Sequence, residues 1–560
     1  MNAELAALAD EYWELELRRS PTGGLFLGEY RYADRWEDLS RDAEDAFISL
    51  LDDVAARAEA IDPAALTADE SVTRGVMIEE AAAAAAELRS RFGEFAVDPS
   101  GGVHVALLQL VSQIAAPNGD VADAVVTKWS RVGDMFDQLI ERLRQGIANG
   151  RTPPRISVEK SIPQIERYLA SDVATDPFTM IGAPSGYEPA EEEAWRERLR
   201  EQAVAVIRPA YERFRDAIRD EVLPAARPPE RSGLKWLDDG EEAYARAIRR
   251  HTSLDLAADE IHAVGLAEID HLGEEYRELA KGVLGIDDLT EIYARLRDDP
   301  SLRFNAADEV REAARAAMER ALNAIPDWFG RLPATECVMA EVPQPGAEDA
   351  PLAFYLAPAA DGSRPGTFFV NTSLPETRTR YESEALAFHE SIPGHHLQLA
   401  ISQELEEIPK FRKHSLVTVY AEGWGLYAER LADEMGLYSS DLTRMGILSF
   451  DSWRAGRLVV DTGIHALGWS RQEAIDYLAA NSPQAPNNIA NEVDRYIGWP
   501  GQALAYKIGQ REIFRLREEA RRRLGGRFDV KAFHDVVLGS GLVPLPILGD
   551  LVDRWLSRAS

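Results

Sequence analysis

A chain of 560 residues that is 45% hydrophobic holds enough apolar material for one large unit or several ordinary domains. Its net charge of −33 argues against a nucleic-acid partner, because neutralising phosphates takes clustered Lys and Arg. The single cysteine, Cys337, excludes an intrachain disulfide; with no basic-then-apolar leader and no run of the roughly 18 apolar residues a membrane span needs, the expectation is a cytoplasmic protein without membrane attachment.

Residues 1–95 read as helices, the Ala-rich tract 79–86 among them. Gly101-Gly102 and Pro117-Asn118-Gly119 mark turns, and residues 121–149 read as one long helix closed by Gly150. An extended connector starts at Thr152; helices resume at Ser161, break between Pro177 and Pro189, and run from Ala190 to Leu223. The Pro/Arg-rich segment 226–233 is the candidate boundary between an N-terminal helical lobe, 1–230, and a C-terminal lobe, 231–560, within a single unit 1–560. Helical segments follow at 241–252, 257–282, 287–297 and 306–325. The β signals are confined to 335–342, 352–357 and 366–371. Immediately afterwards a helix is expected to open at Ser373, with Glu376 completing a capping box and Pro375 in the first turn. Further helices are expected at 416–434, 442–467, 470–481, 488–516 with an interruption around Pro500, 530–538 and 546–557. The fold class is mainly α: a two-lobed helical fold with a small β-sheet beside the histidine helix.

The densest chemistry is His389-Glu390-Ser391-Ile392-Pro393-Gly394-His395-His396, which holds three of the ten histidines. A helical HExxH zinc motif would put its second His at position 393, where this chain has Pro393. In an unbroken helix His395 would stand about 9 Å further along than His389 and roughly 120° around. Two imidazoles each about 2.0–2.1 Å from one zinc are never that far apart. Pro393 removes a helical hydrogen bond and Gly394 permits unusual backbone angles, so a break is expected there. If two extra residues are absorbed at the break, His395 reaches the place that i+4 normally holds. His396 is then a support, a substrate contact, or the ligand in place of His395.

A zinc site with two His commonly takes a carboxylate as third ligand. Glu422, in Tyr420-Ala421-Glu422-Gly423-Trp424-Gly425, is the candidate, and Glu429, seven residues on and so on the same face, would orient a His. Gly423 and Gly425 are costly inside a helix and make sense if it packs closely on the metal helix. Glu390, next to the first His, is placed to act as general base. Arg454, Arg457, Asp461 and His465 recur at three- to four-residue spacing on one helix face, as an ion-pair network or a substrate contact. Between Glu492 and Gly509, Tyr496 or Tyr506 is a candidate donor to a developing oxyanion, and Arg495, Gln502 and Lys507 are candidates to hold a substrate carboxylate or carbonyl. His104, His251, His262, His271, His414 and His534 lack matching partners and read as structural.

Four segments together, HESIPGHHLQ (389–398), AEGWGLYAE (421–429), RLVVDTGIH (457–465) and RYIGWPGQALAYKIG (495–509), resemble the bacterial proteins grouped as domain of unknown function 885, which look like zinc-dependent peptidases of the gluzincin type. More distantly the chain resembles angiotensin-converting enzyme, the thimet-type oligopeptidases and the Taq-type carboxypeptidases. That resemblance implies Zn2+ as cofactor. A Gly before the second ligand matches Gly394-His395 and favours His395 over His396, and a ligand Glu on a following helix matches Glu422. It further implies a cleft between helical lobes whose edge strand binds the substrate backbone, which maps onto GTFFVN, ending at Asn371. Pro393 departs from the pattern. The expected activity is zinc-dependent hydrolysis of amide bonds in short peptides or peptide-like molecules by a monomer or homodimer. The alternatives are an amidohydrolase or esterase acting on a non-peptide molecule, and a binding protein that performs no hydrolysis.

Overall fold

The computed structural model of the chain describes residues 1–342, 347, 351–359, 362, 364–414 and 416–559. Helices dominate, and three short strands form one sheet in the order β1-β3-β2, with β1 at Cys337–Glu341, β2 at Ala353–Leu356 and β3 at Gly366–Val370. β3 runs parallel to β1 and antiparallel to β2. The strand expected at the edge is therefore the central one, with its backbone hydrogen bonds taken on both sides. A substrate backbone cannot add to it, which corrects that expectation. Asn371, just past β3, braces the neighbouring loop: its Nδ2 donates to the carbonyls of Ala347 (2.5 Å) and Pro351 (3.0 Å), and its Oδ1 accepts from Ser373 Oγ (2.6 Å).

The apolar core does not divide at residue 230. Its largest part joins the helices Ala3–Arg19, Arg41–Ala60 and Ala68–Arg89 to the sheet, to the metal-motif helices and to the last helix, Leu545–Ala559. A second core gathers Leu25, Ala33 and buried residues from Val97 to Ala226. These three N-terminal helices thus share their interior with the C-terminal half.

Several expected boundaries shift for local reasons. The stretch 121–149 is two helices, Gly119–Trp129 and Val132–Ala148. Between them Ser130 Oγ donates to the Thr127 carbonyl (2.7 Å), a local bond that competes with continuing the helix. The next helix starts at Arg155 rather than Ser161, with Pro154 immediately before it. The helix expected from Ser373 begins only at Ser383. Leu374 has φ 50°, Pro375–Thr377 is a single 3-10 turn, and the following backbone pairs with residues 302–304: Phe304 N donates to Arg378 O (3.1 Å) and Arg380 N to Leu302 O (2.8 Å). Once those groups are spent on another segment, the capping box at Ser373 has no helix to cap. No helix among the described residues is long and apolar enough to cross a membrane.

Candidate metal centre

His389 is the penultimate residue of the first histidine helix, Ser383–Glu390, and His395 is the first residue of the second, His395–Gln403. The helix breaks at Ser391 (φ −105°, ψ −105°) and restarts after Gly394 (φ −82°, ψ −128°). A Cβ on Gly394 would lie 1.9 Å from the His389 carbonyl oxygen, so only glycine lets the chain fold back this tightly. The fold-back stacks the two imidazoles edge to face, 4.7 Å between centroids at 86°. Glu422 reaches in from the glutamate helix, Thr418–Glu434, with Oε2 3.6 Å from His389 Nε2 and 3.5 Å from His395 Nε2. Ligand atoms of the three residues lie within 4.8 Å of one another. Two ligands bound about 2.0–2.1 Å from a tetrahedral ion stand roughly 3.3–3.4 Å apart. Two imidazoles and a carboxylate converging in this way are of the type that can hold a metal ion.

The surroundings fix the donors. Glu429, 0% exposed, accepts from His389 Nδ1 (2.8 Å), which leaves Nε2 as the ligating atom. Gly425 lies against the His389 ring: a Cβ there would sit 2.7–3.0 Å from three ring atoms. Gly423, by contrast, faces the tyrosine helix, Ala505–Leu524, where its Cβ would meet Gly509 Cα at 2.5 Å. The expectation that both glycines serve the metal helix is thus corrected for Gly423. Burial disfavours charge on His389, yet hydrogen bonds to Glu422 and Glu429 overcome it and lift its pKa to about 9. Burial also opposes charge on Glu422, but the two histidines hold its carboxyl well below the usual range. A cation entering the site takes over the role of the proton on His389.

Glu390 ends the first histidine helix, half-buried beside the triad. Burial raises its pKa, and His389, His395 and Arg454 pull it part of the way back. His396 points elsewhere: its Nδ1 meets Tyr355 Oη (2.9 Å) and its Nε2 the Thr335 carbonyl (3.1 Å), which ties the second histidine helix to the sheet. Gly366 leaves room for this pair, since a Cβ would stand 2.3 Å from Tyr355 Oη.

The C-terminal cluster separates into parts. Tyr506, half-buried, lies in the field of Glu422 and next to Gln502. Tyr496 is not a free donor: its Oη accepts from Trp453 Nε1 (2.9 Å) and Arg457 Nε (2.8 Å) and donates to Glu492 Oε2 (2.8 Å). Arg495 donates to Gln502 Oε1 (2.6 Å) and Glu492 Oε2 (2.9 Å). Lys507 is buried against Asp451 (2.5 Å) and Gln510 (2.9 Å), bonds that hold helices together. Asp461 accepts from Tyr244 Oη (2.6 Å) and the Gly501 amide (3.1 Å). His465 accepts from the Leu234 amide (3.1 Å) and meets the Tyr496 carbonyl (3.0 Å). Both are buried braces, and with Arg457 they show that one helix face carries both scaffold and site-facing groups. The sequence reading gave Glu492 no role, although it neutralises Arg457 and Arg495 (3.0 and 2.9 Å). Its place three residues before Arg495 and four before Tyr496 was the available signal.

Among solved structures the chain is similar to that of a candidate lipoprotein from Colwellia psychrerythraea, with 24% identity, a TM-score of 0.90 and coverage of 99% of both chains. It is also similar to a candidate lipoprotein of unknown function from Shewanella oneidensis, at 19% identity, a TM-score of 0.71 and 98% of both chains. At these identities the likeness extends to the fold. No curated protein matches the chain. A family model described as bacterial protein of unknown function (DUF885) matches residues 21–552, and the chain belongs to that family.

Proposed function

We propose that the chain is a zinc-dependent hydrolase that cleaves amide bonds in short peptides or peptide-like molecules. The observation that carries this reading is the convergence of His389, His395 and Glu422 at ligand spacing, with the half-buried Glu390 carboxylate beside them. When bound, zinc polarises the scissile carbonyl and acidifies the attacking water. Glu390 takes the proton of that water; its raised pKa brings it closer to the working pH, where a general base transfers protons best. Glu429 keeps His389 in the tautomer that presents Nε2. Tyr506, half-buried in the field of Glu422, is the candidate donor to the carbonyl oxygen as charge builds there. A purely binding role leaves Glu390 without a use.

The purified chain should carry about one zinc. Glu390→Gln should keep the metal while turnover on short peptides falls by about two to four orders of magnitude, the share typical of a general base. Near-normal turnover with metal bound, or no peptide cleaved by the metal-loaded wild type, refutes the assignment. A cytoplasmic location, inferred from the lone cysteine, belongs to the same proposal and stands against the lipoprotein description of the two relatives. Recovery in the soluble fraction of cells supports it, and recovery only in a detergent-released fraction overturns it.

A further inference from the structure

The arginine helix, Asp441–Thr462, carries two buried guanidiniums, Arg454 and Arg457. Arg454 is 5% exposed and Arg457 3% exposed. Arg454 makes no hydrogen bond or ion pair among the described residues, and its Nε and Nη1 are buried without a partner. Other buried arginines with an idle nitrogen are anchored: Arg142 pairs with Glu44 (2.9 Å), Arg412 donates to Thr73 (3.0 Å), and Arg517 donates to Tyr427 (3.0 Å). Arg457 spends Nε and Nη2 on Tyr496 and Glu492 but leaves Nη1 idle.

The two groups converge. Both guanidinium carbons stand 4.5 Å from the Trp453 ring centre, and Arg457 and Arg454 lie 4.4 and 5.9 Å from that of Tyr506. The arginine helix packs against the first histidine helix, the glutamate helix and the tyrosine helix, which sets this pair beside the candidate metal centre, with Arg454 in the field of Glu390. Arg495 adds a third cation, and among the described residues Glu492 is the one carboxylate hydrogen-bonded to any of the three. Like charges gathered in a buried site stay folded when an anion joins them, and the fork of a guanidinium matches a carboxylate.

We propose that Arg454 and Arg457 form a carboxylate-binding subsite for the substrate, with Trp453 and Tyr506 as its walls. This rests on the hydrolase reading and makes the substrate class a peptide carrying a carboxylate near the scissile bond. The carboxylate comes either from the chain terminus or from an acidic side chain.

The test is equilibrium binding by calorimetry to full-length protein, with hydrolysis scored separately. One pair of probes is an N-acetyl-dipeptide with a free C-terminal carboxylate and the same dipeptide as its amide. A second pair carries Glu or Gln at the first position with the terminus amidated. The acid member of at least one pair should bind tenfold or more tightly than its neutral partner, and the pair that discriminates identifies the source. Arg454→Met keeps an apolar stem over Phe450 and Trp453 and should erase the preference, whereas Arg454→Lys should keep part of it. Unfolding curves confirm that both variants are folded; if Arg454→Met does not fold, loss of preference in Arg457→Met carries the same test. Equal affinities in both pairs, no binding of any probe, or a preference that survives in the Met variants overturns the subsite. Discrimination without any cleavage would instead count against the hydrolase and leave the subsite standing.

Discussion

Replacing Gly425 with Ala separates the metal reading from ordinary helix energetics. Gly425 lies inside the glutamate helix, where Ala is favoured over Gly by about 1 kcal/mol, so helix propensity alone predicts a more stable protein. The structure predicts a different outcome. The new methyl would stand 2.7, 2.8 and 3.0 Å from three atoms of the His389 ring. Comfortable contact needs about 3.5 Å, so the ring must retreat by roughly half an ångström or more. Glu429 holds the opposite ring nitrogen at 2.8 Å, and the retreat therefore displaces Nε2 from Glu422 and His395. Ligand distances tolerate only about 0.2 Å. Disturbing a group that merely orients a ligand already costs about 10–100-fold in metal affinity, so moving the ligand itself should cost about 100-fold or more. Zinc affinity is measured against a competing chelator, with urea unfolding of the metal-free protein alongside. Unchanged affinity together with raised stability would refute the reasoning. Gly423→Ala is the contrast: its methyl meets the Gly509 backbone at 2.5 Å, and it should destabilise the metal-free protein by about 1–3 kcal/mol.

His395→Ala should release metal far more readily than His396→Ala, because His396 spends both nitrogens on Tyr355 and Thr335; the reverse order in metal analysis would overturn the ligand set. Tyr506→Phe should lower turnover roughly a hundredfold with little change in stability. Tyr496→Phe should instead cost about 1–3 kcal/mol on unfolding, because Glu492, Arg457 and Trp453 each lose a partner; a larger catalytic loss in Tyr496→Phe would exchange the two roles. Burial raises the Asp461 pKa to about 7, against the stabilising bonds from Tyr244 and Gly501. The folded state then binds this proton more tightly than the unfolded chain, so stability should fall as pH rises from about 4 towards 7. Asp461→Asn keeps an acceptor but has no proton to lose, and between pH 5.5 and 7.5 it should gain about 2 kcal/mol relative to wild type; parallel urea profiles would contradict this.

The sequence located the candidate metal ligands better than the supports that position them. Helix class and the His389, His395 and Glu422 grouping were legible because periodicity and metal chemistry constrain residue type and spacing locally. The failures came from partners distant in the chain. The helix expected at Ser373 was lost to pairing with residues 302–304, and GTFFVN became central when β1 and β2 closed on both sides of it. Lys507 looked like a substrate contact because Asp451, its acceptor, lies 56 positions away. Asp461 and His465 were ambiguous for the same reason: their partners Tyr244 and Leu234 lie across the chain. No spacing rule distinguishes an arginine that finds Glu492 from one, Arg454, that finds aromatic rings but no hydrogen-bond acceptor among the described residues.

The interior shared between the helices Ala3–Arg19, Arg41–Ala60 and Ala68–Arg89 and the C-terminal half bears on how the chain is made. Leu5, Leu51 and Val76 are buried in the same core as Leu548, Val552 and Leu556. Gly75 lies so close to Ile547 that a Cβ there would stand 3.1 Å from Ile547 Cδ1, and Arg554 reaches back to the Ala68 carbonyl at 3.4 Å. During synthesis the ribosome delivers the two sides of this contact far apart in time, Ala68 and Arg554 being 486 positions apart. At some 5–20 residues per second, the N-terminal hairpin waits about half a minute or more with its apolar face uncovered. The segment with its own core, residues 97–226, emerges in between and can condense first. Closure of the rest therefore waits for the helix Leu545–Ala559, and the interval before it is when the nascent chain most needs a chaperone.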